Sequence, residues 1–158
     1  MENKQNYPDR ISISKKARET VDKIDDTKYF SLQDSAISRS DLFSFAMALG
    51  VDTGIPTKLE NTYPGGLILD KSIDGYTKAL MYALFINNID DGDLDEITKK
   101  DAVYSFAQEY ANTGFEILAD YMSTKKDSDL IWDLLEELDA QYHKIMETES
   151  PENNLSNI

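Results

Sequence analysis

Apolar residues recur along this chain at the three-to-four spacing of an α-helix in five stretches, and at the two-residue spacing of a strand in one. The strand pattern comes first. Residues 10–14 alternate Arg10, Ile11, Ser12, Ile13, Ser14, which puts Ile11 and Ile13 on one face. Ser14 suits the N-cap of a first helix over 15–25, whose apolar stripe is thin: Ala17, Val21 and Ile24. Residues 26–37 read as a connection, and Phe30, Leu32 and Ile37 inside it predict that it packs. "SRSDLFSFAMALG", residues 38–50, predicts the second helix. Ser38 and Asp41 have capping-box spacing, Leu42, Phe45, Ala46 and Leu49 recur at helical spacing, and Phe43 and Met47 widen the apolar face. Gly50 fits the left-handed residue that stops a helix. A helix apolar on most of its circumference belongs inside a fold or in an oligomer interface.

Residues 51–68 read as loop, with "YPGG" as a hinge candidate. A third helix is expected from about Ser72 to Asn87 or Asn88, with Ile73, Tyr76, Leu80, Met81, Leu84 and Phe85 making it a central core helix. After a turn at 87–96, a fourth helix covers 97–122 with Val103, Phe106, Tyr110, Ile117, Leu118 and Tyr121 on one side, and Gly114 marks close packing. A fifth covers 128–147, with Leu130, Ile131, Leu134, Leu138, Tyr142 and Ile145 as the apolar stripe and Asp133, Glu136, Glu137 and Asp139 facing solvent. The expected fold class is therefore mostly α, a bundle of about five helices with one short N-terminal β-strand. The strand needs a partner for its backbone groups: either "GLILD" at 66–70 or its own copy in a second subunit.

At 158 residues the chain suits one domain, expected over 10–148 with a ribbon-like part at 10–50 and a helical part at 70–148, between a frayed 1–9 and a disordered 149–158. No 18-residue apolar run exists, and "MENKQNYPDR" has no apolar core of a secretory signal, so neither a membrane span nor secretion is expected. The absence of cysteine excludes thiol chemistry and fits a cytoplasmic setting. The net charge of −14 is unevenly spread: residues 1–28 hold 7 basic and 6 acidic residues, residues 90–149 hold 5 basic and 17 acidic. The acidic half repels phosphate backbones, so any nucleic-acid contact has to come from the N-terminal part. Lys15, Lys16 and Arg18 lie in the first turns of the first helix, where the dipole disfavours cations, so another reason for them is sought.

The chemistry candidates resolve into ordinary structure. "DKSIDG", 70–75, opens like a calcium loop, but its ninth position is Lys78 and its twelfth is Met81, so it reads as a helix start with Asp74 as an early-turn acid. "DDGDLDE", 90–96, reads as turn and capping, with at most weak cation binding by Asp91, Asp93 and Asp95. His143, the single histidine, sits late in an acidic helix, where the C-terminal dipole suits it. No catalytic residue, metal site or cofactor is expected.

The order "RISIS", "KKARETVDKI", "SRSDLFSFAMALG" resembles a ribbon-helix-helix unit over about residues 10–50, with Ser38, Arg39, Ser40 and Asp41 matching the turn that opens its second helix. The resemblance implies a dimer built by pairing strands, with Arg10, Ser12 and Ser14 reading a DNA groove. The connection at 26–37 is longer than the family's turn, and the outward strand face has a single cation. The basic start followed by an "LFSFAMALG" helix is also similar to the small E component of bacterial DNA phosphorothioation systems, which implies a helical, self-associating accessory of DNA defence. The resulting expectation is a non-enzymatic, oligomerising, DNA-associated component of a defence or regulatory system. Arg10, Ser12, Lys15, Lys16, Arg18 and Arg39 would be its DNA contacts, and Ile11, Ile13, Leu42, Phe45 and Leu49 its subunit interface. The alternative is an acidic interaction module, antitoxin-like or inhibitory, whose C-terminal helices cover a basic site on a partner protein.

Overall fold

A computed structural model of the chain describes residues 8–30, 37–89 and 94–148. Among them the fold is mostly α: five α-helices and one short two-stranded antiparallel sheet. In chain order the elements are β1 (Arg10–Ile11), α1 (Lys15–Thr27), α2 (Arg39–Thr53), β2 (Ile68–Leu69), α3 (Gly75–Asn88), α4 (Lys100–Thr124) and α5 (Asp127–Thr148). Short 3-10 turns lie at Asp70–Ser72 and Leu94–Thr98. The chain divides into two compact units, Met1–Asp120 and Tyr121–Ile158. The expectations for the first seven residues, for Leu32, for the acids at 90–93 and for the tail 149–158 fall outside the described residues.

The strand finds its partner within the chain. Arg10 pairs with Leu69 and Ile11 with Ile68. The ladder continues irregularly as Leu67 N–H donates to Ile11 O, Tyr63 N–H to Ile13 O and Lys15 N–H to Asn61 O. On the other edge the Ser12 N–H donates to Gln108 Oε1 at 2.6 Å. The Ile11 and Ile13 carbonyls and the Ser12 and Lys15 N–H groups thus find their partners in the 61–70 stretch and in α4. Ile11 and Ile13, drawn inward, are 0% and 2% exposed.

Ser14 caps α1 as expected, accepting from Ala17 N–H at 3.0 Å. Its own hydroxyl donates to Asn112 Oδ1 at 3.0 Å, and the residue is buried. Ser38 caps α2 by accepting from Asp41 N–H. The helix does not stop at Gly50. It runs to Thr53 and ends on Gly54, whose φ of 69° is the left-handed cap. Gly50 is needed for space: a Cβ there would lie 1.8 Å from Tyr110 O. Reciprocally, a Cβ on Gly114 would lie 1.7 Å from Ala46 O. Ala46 and Gly50 on α2 meet Gly114 and the Tyr110 carbonyl on α4, so the two backbones touch, and Leu42, Phe43, Ala46, Met47, Ala107, Ala111 and Phe115 close the core around the crossing.

The third helix departs from its expected span. Residues 70–72 form the 3-10 turn, and α3 begins at Gly75 with Asp74 as its N-cap, accepting from Thr77 N–H at 2.7 Å. It is also less central than its composition suggests. Met81 and Phe85 are buried, Leu80 and Leu84 half-buried, and Tyr76 is 75% exposed. Phe85, Phe106 and Tyr110 stack in sequence between α3 and α4, with centroids 5.5 and 4.8 Å apart.

Candidate functional site

Two surfaces carry the charge asymmetry read from the sequence, one in each unit. The first surrounds the start of α1. The residues expected to touch DNA do not form one basic face. Arg10 holds Asp9 with two bonds, Nε to Oδ1 at 2.9 Å and Nη2 to Oδ2 at 3.1 Å. That pairing, first of all its hydrogen bonds, lowers the Asp9 pKa. Arg18 pairs with Asp22 at 3.0 Å and lies over the Tyr63 ring. Arg39 is at the far end of α1, bonded to Asp25 at 2.6 and 3.1 Å. Those hydrogen bonds hold the Asp25 carboxyl below, and the Arg39 guanidinium above, their ordinary values. Ten residues of helix, about 15 Å, separate Asp25 from Lys15. Each of these guanidinium groups has a carboxylate of its own chain within ion-pair distance, at a partly exposed position.

Lys16 reaches Glu116 at 3.6 Å, and Lys15 is exposed with no ion pair among the described residues. Both line an open cavity of about 420 Å³, together with Lys58 and with Glu19, Glu60 and Glu116. Three ammonium and three carboxylate groups leave it formally neutral. Ser12 is half-buried, and Ser14, placed outward by the ribbon-helix-helix comparison, points inward to Asn112. Of the expected interface residues, Ile11, Ile13 and Leu42 are enclosed by their own chain, so they are core; Phe45 and Leu49 are half-buried.

Sequence reasoning missed the polar rail on α4. Gln108 and Asn112, four residues apart, hold the N-terminal segment through Ser12 and Ser14, and Asn112 Nδ2 also reaches Thr57 O and Lys58 O at 3.4 Å. The available signal was two amides at one-turn spacing on a helix, each preceded by an alanine. It also missed the half-buried cluster around Asp70. Tyr104 donates to this carboxylate, and Lys100 and Lys78 approach it at 3.0 and 3.9 Å. The tyrosine hydrogen bond, followed by Lys100, lowers the Asp70 pKa, while burial and then the carboxylate raise that of Tyr104. Both oxygens of Asp70 are thus engaged by side chains of its own chain. No group of metal-ligating side chains is assembled among the described residues.

The second surface is α5. Seven acids and one lysine give the helix a formal charge of −6. Leu130 alone of its residues is buried. Of the expected apolar stripe, Ile131 and Leu134 are half-buried and Leu138, Tyr142 and Ile145 are exposed; Trp132, Leu135 and Met146 beside it are exposed too, the six open side chains ranging from 50% for Leu135 to 66% for Trp132. Within the unit Lys125 pairs with Asp133, and His143 is exposed, its ring nitrogen 2.8 Å from Asp139 O. No helix among the described residues is long and apolar enough to cross a membrane.

Compared with protein-family models, curated proteins and solved structures, the chain has no match.

Proposed function

We propose that this protein is a non-enzymatic interaction module that binds a basic partner protein through its acidic last helix. The observation that carries this reading is α5: a helix of charge −6 that leaves six large apolar side chains in solvent. Exposed apolar groups rimmed by charge are the composition of a protein-binding surface. Arg10, Arg18 and Arg39, three of the residues a direct DNA reading would use, each pair with a carboxylate of the same chain, which favours the module reading.

A second reading, DNA association through the start of α1, is favoured by one observation: Lys15, Lys16 and Lys58 converge on a single cavity. The two readings separate in one titration of the full chain, by fluorescence anisotropy at low and moderate salt. A labelled duplex DNA is compared with poly-L-lysine. The interaction-module reading expects salt-sensitive binding of the polycation and none of the duplex, even at low salt where phosphate attraction is strongest. Duplex binding that disappears in Lys15→Ala/Lys16→Ala/Lys58→Ala overturns it in favour of the second reading.

A further inference from the structure

The pattern on α5 says more than that it is acidic. Ile131, Leu135, Leu138, Tyr142 and Ile145 are spaced four, three, four and three residues apart. That is the repeat of a seam made to meet another helix, at 3.5 residues per contact. Placed on a helix of 3.6 residues per turn, the apolar positions from Ile131 to Met146 fill an arc of about 160°, and Asp139 is the one charged residue within it. Beyond one edge of the arc come His143 and then the acids Glu136, Asp129 and Glu147. Beyond the other come Gln141, Thr148 and then Glu137.

We infer that this seam is the seat of an amphipathic cationic helix belonging to a partner protein, with apolar residues at the same heptad spacing and lysine or arginine along the edge facing Glu136 and Asp139. The inference rests on the interaction-module reading and adds the partner's form. Charge selects this occupant. A second copy of α5 would bring −6 against −6, and in an antiparallel pair the two acidic edges would face each other. Anionic lipid surfaces and nucleic acids are repelled by the same charge. A helix with basic flanks gains from both halves of the surface: its apolar face covers the exposed stripe and its cations meet the acidic edge.

The experiment uses the full chain and three labelled peptides of about three heptads. One has leucine at a and d with lysine at e and g, one has the same leucines with glutamate at e and g, and one scrambles the first. The first should bind at least tenfold more tightly than either of the others. Leu138→Asp should weaken it at least tenfold while leaving poly-L-lysine binding within about twofold. Glu136→Lys/Asp139→Lys keeps the seam and should shift the preference toward the glutamate-flanked peptide, which guards against Leu138→Asp merely unwinding the helix. Equal binding of the scrambled peptide, or indifference to both variants, overturns the seam while the acidic-module reading stands on its polycation binding. Loss of all cationic binding overturns both. Sedimentation showing a dimer that Leu138→Asp dissolves would make the occupant a second copy and overturn the proposal.

Discussion

At Gly50 and Gly114 the backbone of one helix occupies the volume where a side chain on the other would begin. Gly50→Ala and Gly114→Ala are each expected to destabilise the chain by roughly 3 kcal/mol or more, the upper range for overpacking, because the obstructing atoms are backbone. Gly75→Ala is the control. It opens α3 with nothing within 4 Å of the added methyl and a φ on the ordinary side, so a gain of about 0.5 kcal/mol is expected. Urea unfolding of the three variants checks the contrast, and equal losses at all three positions would contradict it. Gly114 was legible in the sequence because a glycine inside a helix costs stability unless something needs the space. Gly50 was not, since a glycine that ends a helix and one that lets a neighbour approach look alike until φ is known. The stop four residues later, Gly54, has the same composition and the other geometry.

Asp70 ties the end of β2 to the start of α4. Its folded pKa is depressed, so its contribution to stability is complete above the unfolded carboxylate value near 3.9 and disappears as pH falls through the folded value. Asp25, held by Arg39, behaves in the same sense. Asp70→Asn should therefore cost about 1–3 kcal/mol at pH 7 and flatten the acid limb as pH falls below about 4, measured by urea unfolding at descending pH. An unchanged acid limb would contradict the assignment.

Among the elements, the caps were the most legible part of the sequence. Ser14 and Ser38 lie where the first helical residue follows a small hydroxyl, and both accept the expected backbone donor. Ser14→Ala should cost about 1–2 kcal/mol in thermal or urea unfolding, since it removes the cap and also the partner of buried Asn112. A loss no larger than that of the exposed Ser38→Ala would show that the bond to Asn112 adds nothing. Where the burial of helix faces was misjudged, the reason is common to all of them. Periodicity identifies which face of a helix is apolar but not what covers it. For α2 the cover includes α4, which comes close because Gly50 on α2 and Gly114 on α4 each face the other helix's backbone. For α3 the cover is partial, and Tyr76 stays in solvent. On α5 the apolar period is as regular as any in the chain, yet one residue is buried. The strand was legible as a strand, and its observed partner lies in one of the two segments weighed for it, "GLILD" at 66–70; the sequence could not choose between that segment and a second copy because the 66–70 stretch alternates weakly.

Across the whole molecule, charge separation was visible in residue counts alone, and the fold gives it a meaning the counts do not. At the start of α1 each arginine is matched by a local acid, so the apparent basic patch is largely cancelled before any ligand arrives. Along α5 a single lysine opposes seven acids, so the negative charge is carried outward beside an apolar stripe. Raising the salt concentration should weaken a basic partner's binding progressively, while the apolar seam keeps a residual affinity that a purely ionic contact would lack. Binding to the lysine-flanked peptide that vanishes entirely at high salt would contradict the contribution of the stripe.

The measurement that tests this account most directly is amide hydrogen exchange on the full chain, with and without the lysine-flanked amphipathic peptide. The account predicts added protection concentrated between Ile131 and Ile145, with exchange around residues 10–18 unchanged. Protection that appears around Lys15 and Lys16 instead, with α5 exchanging as in the free protein, would contradict it.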